Sequence, residues 1–180
     1  GTLCFQFKGG IGTASRRVDA FTVGALVQTN YGSRAELLFL GAPIGQHLLA
    51  EAMPQTGGGS IMMVIATDAP LDSRQLTRVA MRSAYALGRT GSVGQHGSGD
   101  FAIAFSTTNR TPHTPDTRIN PPLVRDDALD PIFAAVVESL EEAILNALLA
   151  AETLTGRNGN TAFALPQARL VELLKKYGRL

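Results

Sequence analysis

The chain has 180 residues, of which 44% are hydrophobic and 17% are charged, and its formal net charge is +1. This composition is typical of a single globular domain with one sizeable core. The balanced charge argues against a nucleic-acid partner, and no apolar run approaches the roughly 20 residues that a membrane span needs, so we expect no membrane partner either.

Strand character alternates with turns over the first third of the chain. Residues 3–7 predict a strand, and the glycine-rich residues 8–15 predict a turn that no strand continues through. Residues 19–29 are apolar and β-branched and predict a buried strand, and residues 36–40 predict a short third one. An irregular connection is expected over residues 41–56. Because the chain opens on a strand rather than a signal peptide, we expect it to begin within a fold.

The middle of the chain predicts two more strands and a helix. The continuous apolar run at residues 60–66 is typical of a central strand buried on both faces. Asp72 or Ser73 can cap a helix over residues 74–87, where apolar residues recur at helical spacing. A further strand is predicted over residues 101–105.

A long loop and two helices complete the predicted elements. Residues 107–126 contain four prolines and predict a surface loop. An apolar stripe predicts a helix over residues 130–153, and residues 166–177 predict a short final helix. Strands followed by amphipathic helices favour a layered α+β fold in one domain.

The junction Gly57-Gly58-Gly59-Ser60 precedes the predicted central strand. Three glycines lose much backbone entropy on ordering, which suggests that the geometry requires them. Glycine leaves the Gly59 carbonyl carbon open to the Ser60 hydroxyl, and an N-to-O acyl shift followed by hydrolysis would create a new N-terminus at Ser60. Its free α-amine could then serve as the base for its own hydroxyl. The alternative interpretation is a flexible linker or a tight entry to the strand.

Three other polar residues are candidates for the same site. Ser98 and Asp100 lie two residues apart at the mouth of a strand, so an extended backbone directs both side chains to one side. Gly97 and Gly99 would let this segment approach another element closely, although a simple turn with Asp100 bonding local amides is the alternative. Asn30 follows a buried strand and either donates to an oxyanion or forms a turn.

Two other classes of function find weaker support in the sequence. The glycine-rich residues 8–15 suggest a phosphate or nucleotide binder, but their spacing matches neither the P-loop nor the dinucleotide fingerprint. The histidines His47, His96 and His113 are scattered and form no metal-binding pair, although His96 could line a site. The single Cys4 excludes an internal disulfide and favours a cytoplasmic protein, with the periplasm left open. We expect neither a metal nor a cofactor.

Several segments together resemble the DmpA/BapA family, which includes L-aminopeptidase/D-amidase/esterases and β-peptidyl aminopeptidases. The similar segments occur in the expected order over most of the chain. They are Phe7-Lys8-Gly9-Gly10-Ile11-Gly12-Thr13-Ala14-Ser15-Arg16, Val27-Gln28-Thr29-Asn30-Tyr31-Gly32, Gly58-Gly59-Ser60-Ile61, Ala66-Thr67-Asp68-Ala69-Pro70, Gly97-Ser98-Gly99-Asp100, Asn146-Ala147-Leu148, Ala151-Glu152-Thr153, Ala164-Leu165-Pro166 and Lys175-Lys176-Tyr177-Gly178.

The resemblance implies a layered αββα sandwich of the DmpA/ornithine acetyltransferase type, incomplete without an upstream segment. It implies cleavage between Gly59 and Ser60, so that residues 1–59 end an α chain and residues 60–180 form a β chain. Ser60 would be the nucleophile and Asn30 an oxyanion donor. Some relatives carry glutamate in place of aspartate in the hydroxyl-carboxylate pair, which Ser98 and Asp100 would form to orient and tune the Ser60 hydroxyl and amine.

The resemblance also implies what the protein acts on and assembles with. Substrates would be small peptides, amides or esters that lose an N-terminal residue. Processed αβ pairs would form a homo-oligomer, and a tetramer is expected because family members tend to assemble in this way. A catalytically silent relative that keeps the fold as a binding module is the alternative.

Overall fold

Eight strands and five α-helices occur within residues 2–54, 59–110, 113 and 122–180, which are the residues that the computed structural model describes. The strands are β1 (Leu3–Cys4), β2 (Phe7–Lys8), β3 (Ile11–Val18), β4 (Phe21–Gln28), β5 (Met62–Thr67), β6 (Phe101–Ser106), β7 (Leu154–Thr155) and β8 (Thr161–Ala162). The helices are α1 (Ile44–His47), α2 (Ser73–Met81), α3 (Ser83–Arg89), α4 (Asp130–Leu149) and α5 (Gln167–Lys176).

A four-stranded sheet in the order β3-β4-β5-β6 is the frame of the fold. The pairs β3/β4 and β4/β5 are antiparallel, whereas β5 and β6 are parallel and are joined through α2 and α3. Met62 at the start of β5 pairs with Gln28 at the end of β4 and with Phe101 at the start of β6. The residues that follow β4 and precede β5 and β6 therefore meet at one edge of the sheet.

The two faces of this sheet have different surroundings. Helix α4 packs across β3 and β4, and its buried Leu140 and Ile144 belong to the same core as Val27, Met63 and Ile65 of the sheet. The opposite face carries apolar side chains that are 40–61% exposed. They are Leu26, Met62, Phe101, Ile103 and Phe105. The prediction that the central strand is buried on both faces is thus wrong for this chain by itself, because one helical layer covers one face.

The strand predicted over residues 3–7 is wrong in form. The chain turns back at Phe5 and Gln6, whose φ angles are 49° and 60°, and β1 and β2 pair as a tight hairpin. The third strand predicted over residues 36–40 is also wrong. A 3₁₀ turn at Arg34–Glu36 is followed by an isolated bridge from Phe39 to Ala42. The Leu38 N–H donates to the carbonyl oxygen of Thr90, which lies in the turn after α3 and not in a strand, so no ladder forms here.

The glycine-rich segment at residues 8–15 is a turn only in its first part, since β3 runs through Gly12. A Cβ atom at Gly12 would lie 1.8 Å from the carbonyl oxygen of Ala143 and 2.7 Å from the amide nitrogen of Ala147. Helix α4 therefore crosses the backbone of β3 directly. The glycine marks this close approach and not the end of a strand.

The helices follow the sequence pattern with shifted boundaries. Asp72 caps α2 as predicted and accepts the Gln75 N–H at 2.7 Å, but the helix breaks at Arg82 into α2 and α3. Helix α4 begins where predicted and ends at Leu149, four residues early. Half of the predicted loop, residues 111–112 and 114–121, lies outside the described residues. Within the described ranges, no helix has the length and apolar character to cross a membrane.

We expect Gly12→Ala to destabilise the full-length protein by about 1–3 kcal/mol, because the added methyl group would displace α4 from β3. Urea unfolding followed by circular dichroism measures the change. Gly10→Ala is the matched control, since no atom lies within 4 Å of a Cβ there, and its stability should stay within about 0.5 kcal/mol of wild type. Equal stabilities of the two variants would contradict the crossing geometry.

Candidate active site

Three segments meet at the edge of the sheet where β4 ends and where β5 and β6 begin. Asn30 follows β4, Ser60 precedes β5, and Ser98 and Asp100 precede β6. A cavity of about 120 Å³ lies at this edge, and Asn30, Gly59 and Ser98 are among the residues that line it. The four predicted site residues thus come from distant parts of the chain and lie in one neighbourhood.

The hydroxyl of Ser60 is fixed by the backbone of the segment before β6. Its Oγ accepts the N–H of Gly99 at 3.0 Å, and the residue is partly buried. Since the oxygen accepts this bond, its own proton stays available for transfer to a base. The geometry therefore orients the hydroxyl without occupying the proton that a nucleophile must lose.

The two glycines beside Ser98 differ in what they allow. A Cβ atom at Gly99 would lie 2.9 Å from the ring of Phe101 and 3.2 Å from the Oγ of Ser60, so the close approach predicted for this position is present. At Gly97 no atom lies within 4 Å of an added Cβ, and the expectation that it too permits a close approach is wrong. Only Gly99 needs to lack a side chain.

The amide of Asn30 is oriented by the first strand of the chain. Its Oδ1 accepts the N–H of Leu3 at 2.9 Å, which leaves the Nδ2 donor, on the other side of the Cγ atom, free to point elsewhere. A Cβ atom added at Gly59 would lie 2.3 Å from that Nδ2 and 2.0 Å from the carbonyl oxygen of Asn30. The donor is therefore beside the residue whose carbonyl precedes Ser60. Gly57 and Gly58 lie outside the described residues.

Ser98 and Asp100 form a hydrogen-bonded pair. The Ser98 hydroxyl donates to Oδ1 of Asp100 at 2.5 Å, and both residues are partly buried. A hydroxyl that donates to a carboxylate keeps its own lone pairs as acceptors, and the carboxylate increases their basicity. The Ser98 oxygen can therefore accept a hydrogen bond from a donor group in the cavity.

Two buried titratable groups lie behind this edge. Burial raises the pKa of Tyr31 well above its usual value, repulsion between a tyrosinate and the anionic forms of Cys4 and Asp100 raises it further, and a hydrogen bond with Thr90 at 3.1 Å lowers it in part. Burial raises the pKa of the Cys4 thiol to about 12, against a lowering contribution from Thr29. Both groups are protonated at neutral pH. Neither supplies a base or a competing nucleophile.

Some residues at the site have no signal in the local sequence pattern. Gln95 lines the cavity and donates to the Ser33 hydroxyl at 3.1 Å and to the Glu36 carboxylate at 3.0 Å. This contact joins residues about sixty positions apart, so no short motif predicts it. Gln6, which also lines the cavity, reaches it only because of the unpredicted β1-β2 hairpin.

The three histidines take no part in this arrangement. His96 is exposed and does not line the cavity, and His47 is hydrogen-bonded to the Tyr177 hydroxyl at 2.7 Å. His113 is exposed. Within the part of the chain that the structure describes, no three His, Cys, Asp or Glu residues lie together as metal ligands would.

Comparison with known proteins shows the family to which the chain belongs. Residues 1–162 match the model of peptidase family S58. The chain belongs to peptidase family S58. The S58 chain is 45% identical over 200 aligned positions to the β-peptidyl aminopeptidase BapA of Sphingosinicella microcystinivorans, with 100% of the chain and 50% of that relative covered.

Solved structures place the S58 chain in a known fold. The L-aminopeptidase D-Ala-esterase/amidase of Ochrobactrum anthropi, a variant of the Ntn hydrolase fold, superimposes with a TM-score of 0.93 at 43% identity over 100% of the chain and 51% of that structure. The PH0078 protein of Pyrococcus horikoshii OT3 gives a TM-score of 0.93 at 45% identity, with 100% and 51% covered. The predicted family and α+β sandwich type are confirmed, and the chain spans about half the length of these relatives.

We expect Gly99→Ala in the full-length S58 protein to lower kcat/KM by about tenfold to a hundredfold, since the methyl group would move the Gly99 N–H away from Ser60. Hydrolysis of an aminoacyl p-nitroanilide measures the loss. Gly97→Ala adds a methyl group to the cavity wall without meeting any atom within 4 Å, and it should lose much less activity. A loss of equal size in both variants would show that the segment responds to any added side chain and not to the contact with Ser60.

Proposed function

We propose that the protein cleaves itself between Gly59 and Ser60 and then acts as an aminopeptidase with the N-terminal serine as nucleophile. The observation that carries this proposal is the hydrogen bond from the Gly99 N–H to Ser60 Oγ, together with the Asn30 amide beside Gly59. A nucleophile, a carbonyl and a donor for its oxygen are the components that acyl transfer needs. Membership of a peptidase family supports the same reaction class.

The first reaction would use the chain itself as substrate. The Ser60 Oγ attacks the carbonyl carbon of Gly59, and its proton passes to the Ser60 amide nitrogen as the C–N bond breaks. An ester then joins Gly59 to the Ser60 oxygen, and water hydrolyses it to a Gly59 carboxylate and a free hydroxyl. Asn30 would donate to the carbonyl oxygen while it carries negative charge, a contribution worth about 3–4 kcal/mol for one donor. Residues 1–59 would end one product, and residues 60–180 would form the other.

The second reaction would use the amine that the first one releases. The neutral α-amine of Ser60 takes the proton of its own hydroxyl, and the Oγ attacks the carbonyl of a bound substrate. The leaving amine or alcohol takes the proton, and water then releases the acyl group. One residue thereby supplies both nucleophile and base. The hydrogen bond from Gly99 holds the oxygen in place through both steps.

The pair of Ser98 and Asp100 would tune the new amine. Because Ser98 donates to the carboxylate, its oxygen can accept a hydrogen bond from the Ser60 ammonium or amine. The nearby negative charge stabilises the ammonium, whereas partial burial favours the neutral amine. We assign to this pair the balance that keeps the amine titratable near neutral pH.

The upstream half of the protein would complete the sandwich. The face of the four-stranded sheet with the exposed Met62, Phe101 and Ile103 is suited to a second sheet packed upon it. By analogy with relatives named as β-peptidyl aminopeptidase and L-aminopeptidase D-Ala-esterase/amidase, the substrates would be small peptides, amides or esters with a free N-terminal residue. Assembly of αβ pairs into a homo-oligomer stays a prediction.

Mass spectrometry under denaturing conditions tests the self-cleavage of full-length protein. We expect two fragments, one beginning at Ser60, and a single intact chain for Ser60→Ala, which has no oxygen to attack Gly59. Ser73→Ala, at an exposed position of α2, is the matched control and should be cut like wild type. An intact wild-type chain after prolonged incubation would reject the proposal and favour a catalytically silent relative.

The pH dependence of kcat/KM tests the amine as base. Only the neutral amine accepts a proton, so the rate should rise with pH through an apparent pKa near or below the unperturbed value of about 7.7–8.0. Asp100→Asn removes an anion that stabilises the ammonium, and its profile should shift to lower pH. A profile that is flat between about pH 5 and 9 would contradict the assignment.

A further inference from the structure

Arg34 is a buried cation whose hydrogen-bond acceptors are backbone carbonyls. Its side chain is 0% exposed, and the guanidinium lies 3.9 Å from the centre of the Phe7 ring. Burial lowers the pKa of Arg34, and the charge of Glu51 offsets part of this effect. Burying a guanidinium without a hydrogen-bonded carboxylate costs free energy. This cost indicates that the contacts of Arg34 have a role of their own.

The contacts of Arg34 join two segments that are distant in sequence. Its Nη1 donates to the carbonyl oxygen of Glu51 at 2.8 Å, and its Nη2 donates to that of Ala52 at 3.1 Å. The same Nη2 donates to the carbonyl oxygen of Gln6 at 2.6 Å, and the Arg34 N–H donates to the Gln6 Oε1 at 2.9 Å. The guanidinium therefore fastens residues 51–52 to the β1-β2 hairpin.

Residues 51–52, which Arg34 holds, lie shortly before the Gly59–Ser60 bond, the bond broken in the proposed self-cleavage. Six residues, 53–58, separate Ala52 from Gly59. Gly59 in turn lies against Asn30, and the Ser60 Oγ accepts a hydrogen bond from the Gly99 N–H. The chain that delivers the Gly59 carbonyl is thus held at both ends, by Arg34 at its start and by Asn30 and Gly99 at its finish.

We propose that Arg34 is a positioning residue for self-cleavage, which restrains the start of segment 51–59 so that the Gly59 carbonyl stays against the Ser60 hydroxyl. This inference rests on the proposed function. Arg34 touches none of the reacting atoms, and its effect is on the fraction of time that the chain spends in a reactive geometry. Restraining both ends of a short segment keeps this fraction high.

The same attachment would have a second consequence after scission. The Gly59 carboxylate must leave Ser60 so that a substrate can take its place, while Arg34 still holds the carbonyls of Glu51 and Ala52. Arg34 then holds the tail beside the site but not within it. Its influence should therefore be large on the first reaction and small on the second.

Two arginine variants of the full-length protein test this division. Arg34→Met places an apolar side chain beside Phe7 and removes the donors, and we expect self-cleavage, followed by intact mass, to slow about tenfold. Turnover of an aminoacyl p-nitroanilide per processed site, counted by titration with an acylating serine reagent, should stay within about twofold of wild type. Arg89→Met is the control for general destabilisation, because it removes the ion-pair partner of the nearly buried Glu141 carboxylate elsewhere in the fold. This variant should process normally.

An insertion tests the same idea with Arg34 in place. Six glycine and serine residues placed between Gln55 and Thr56 double the tether from Ala52 to Gly59. Doubling the number of residues in a connection lowers the probability that its ends meet about threefold, and self-cleavage should slow by that factor. Melting temperature should fall by no more than about 2 °C, because only the closure entropy changes and no contact of Arg34 is altered.

The outcomes separate this inference from the function on which it rests. Failure of the wild-type protein to cut itself would reject the proposed function. Normal self-cleavage in Arg34→Met, or equal losses in cleavage, turnover per site and melting temperature, would overturn the positioning role. If Arg34→Met does not fold, the insertion variant decides, since a wild-type rate of cleavage there would overturn the inference.

Discussion

The contact of Gly59 with Asn30 is the constraint on which the active edge of the sheet depends. The two residues approach so closely that a methyl group at position 59 would overlap the backbone oxygen of Asn30, which lies 2.0 Å from that point. Any other residue would push the chain away from the amide donor and displace Ser60 from Gly99. The order of the strands makes the contact available, because β4 ends where β5 begins. A glycine before the serine then allows it.

The sequence could predict this site to the extent that the sheet order follows from its strands. Asn30, Ser60 and Asp100 each stand beside an apolar run, and the register of β4, β5 and β6 brings those positions together. Their residue types carry the chemistry, so the site follows from strand ends and side-chain type. The roles predicted for these residues in catalysis came from the resemblance to a known family.

Other features depend on contacts that no local pattern contains. Gly12 has the local character of a strand breaker, yet α4 lies upon it and the strand continues. The turn at Phe5 and Gln6 places ordinary residues at positive φ, which sequence propensity disfavours and the surrounding core outweighs. Arg34 sits in a segment predicted to lead into a strand, and its buried contacts with Glu51 and Ala52 arise only in the folded chain. Tertiary packing decided each case.

The reacting groups and the walls that select a substrate have different origins in this fold. The serine, the amide donor and the hydroxyl-carboxylate pair of the proposed function all come from this chain, at the edge of one sheet. The apolar side chains nearest to that edge, Met62 and Phe101, point away from the helical layer and are about half exposed, at 48% and 58%. A second sheet laid on this face would extend the cavity with side chains of its own. Under the proposed function, the bond-breaking chemistry would stay constant within the family, while a covering sheet would change which acyl group fits beside Ser60.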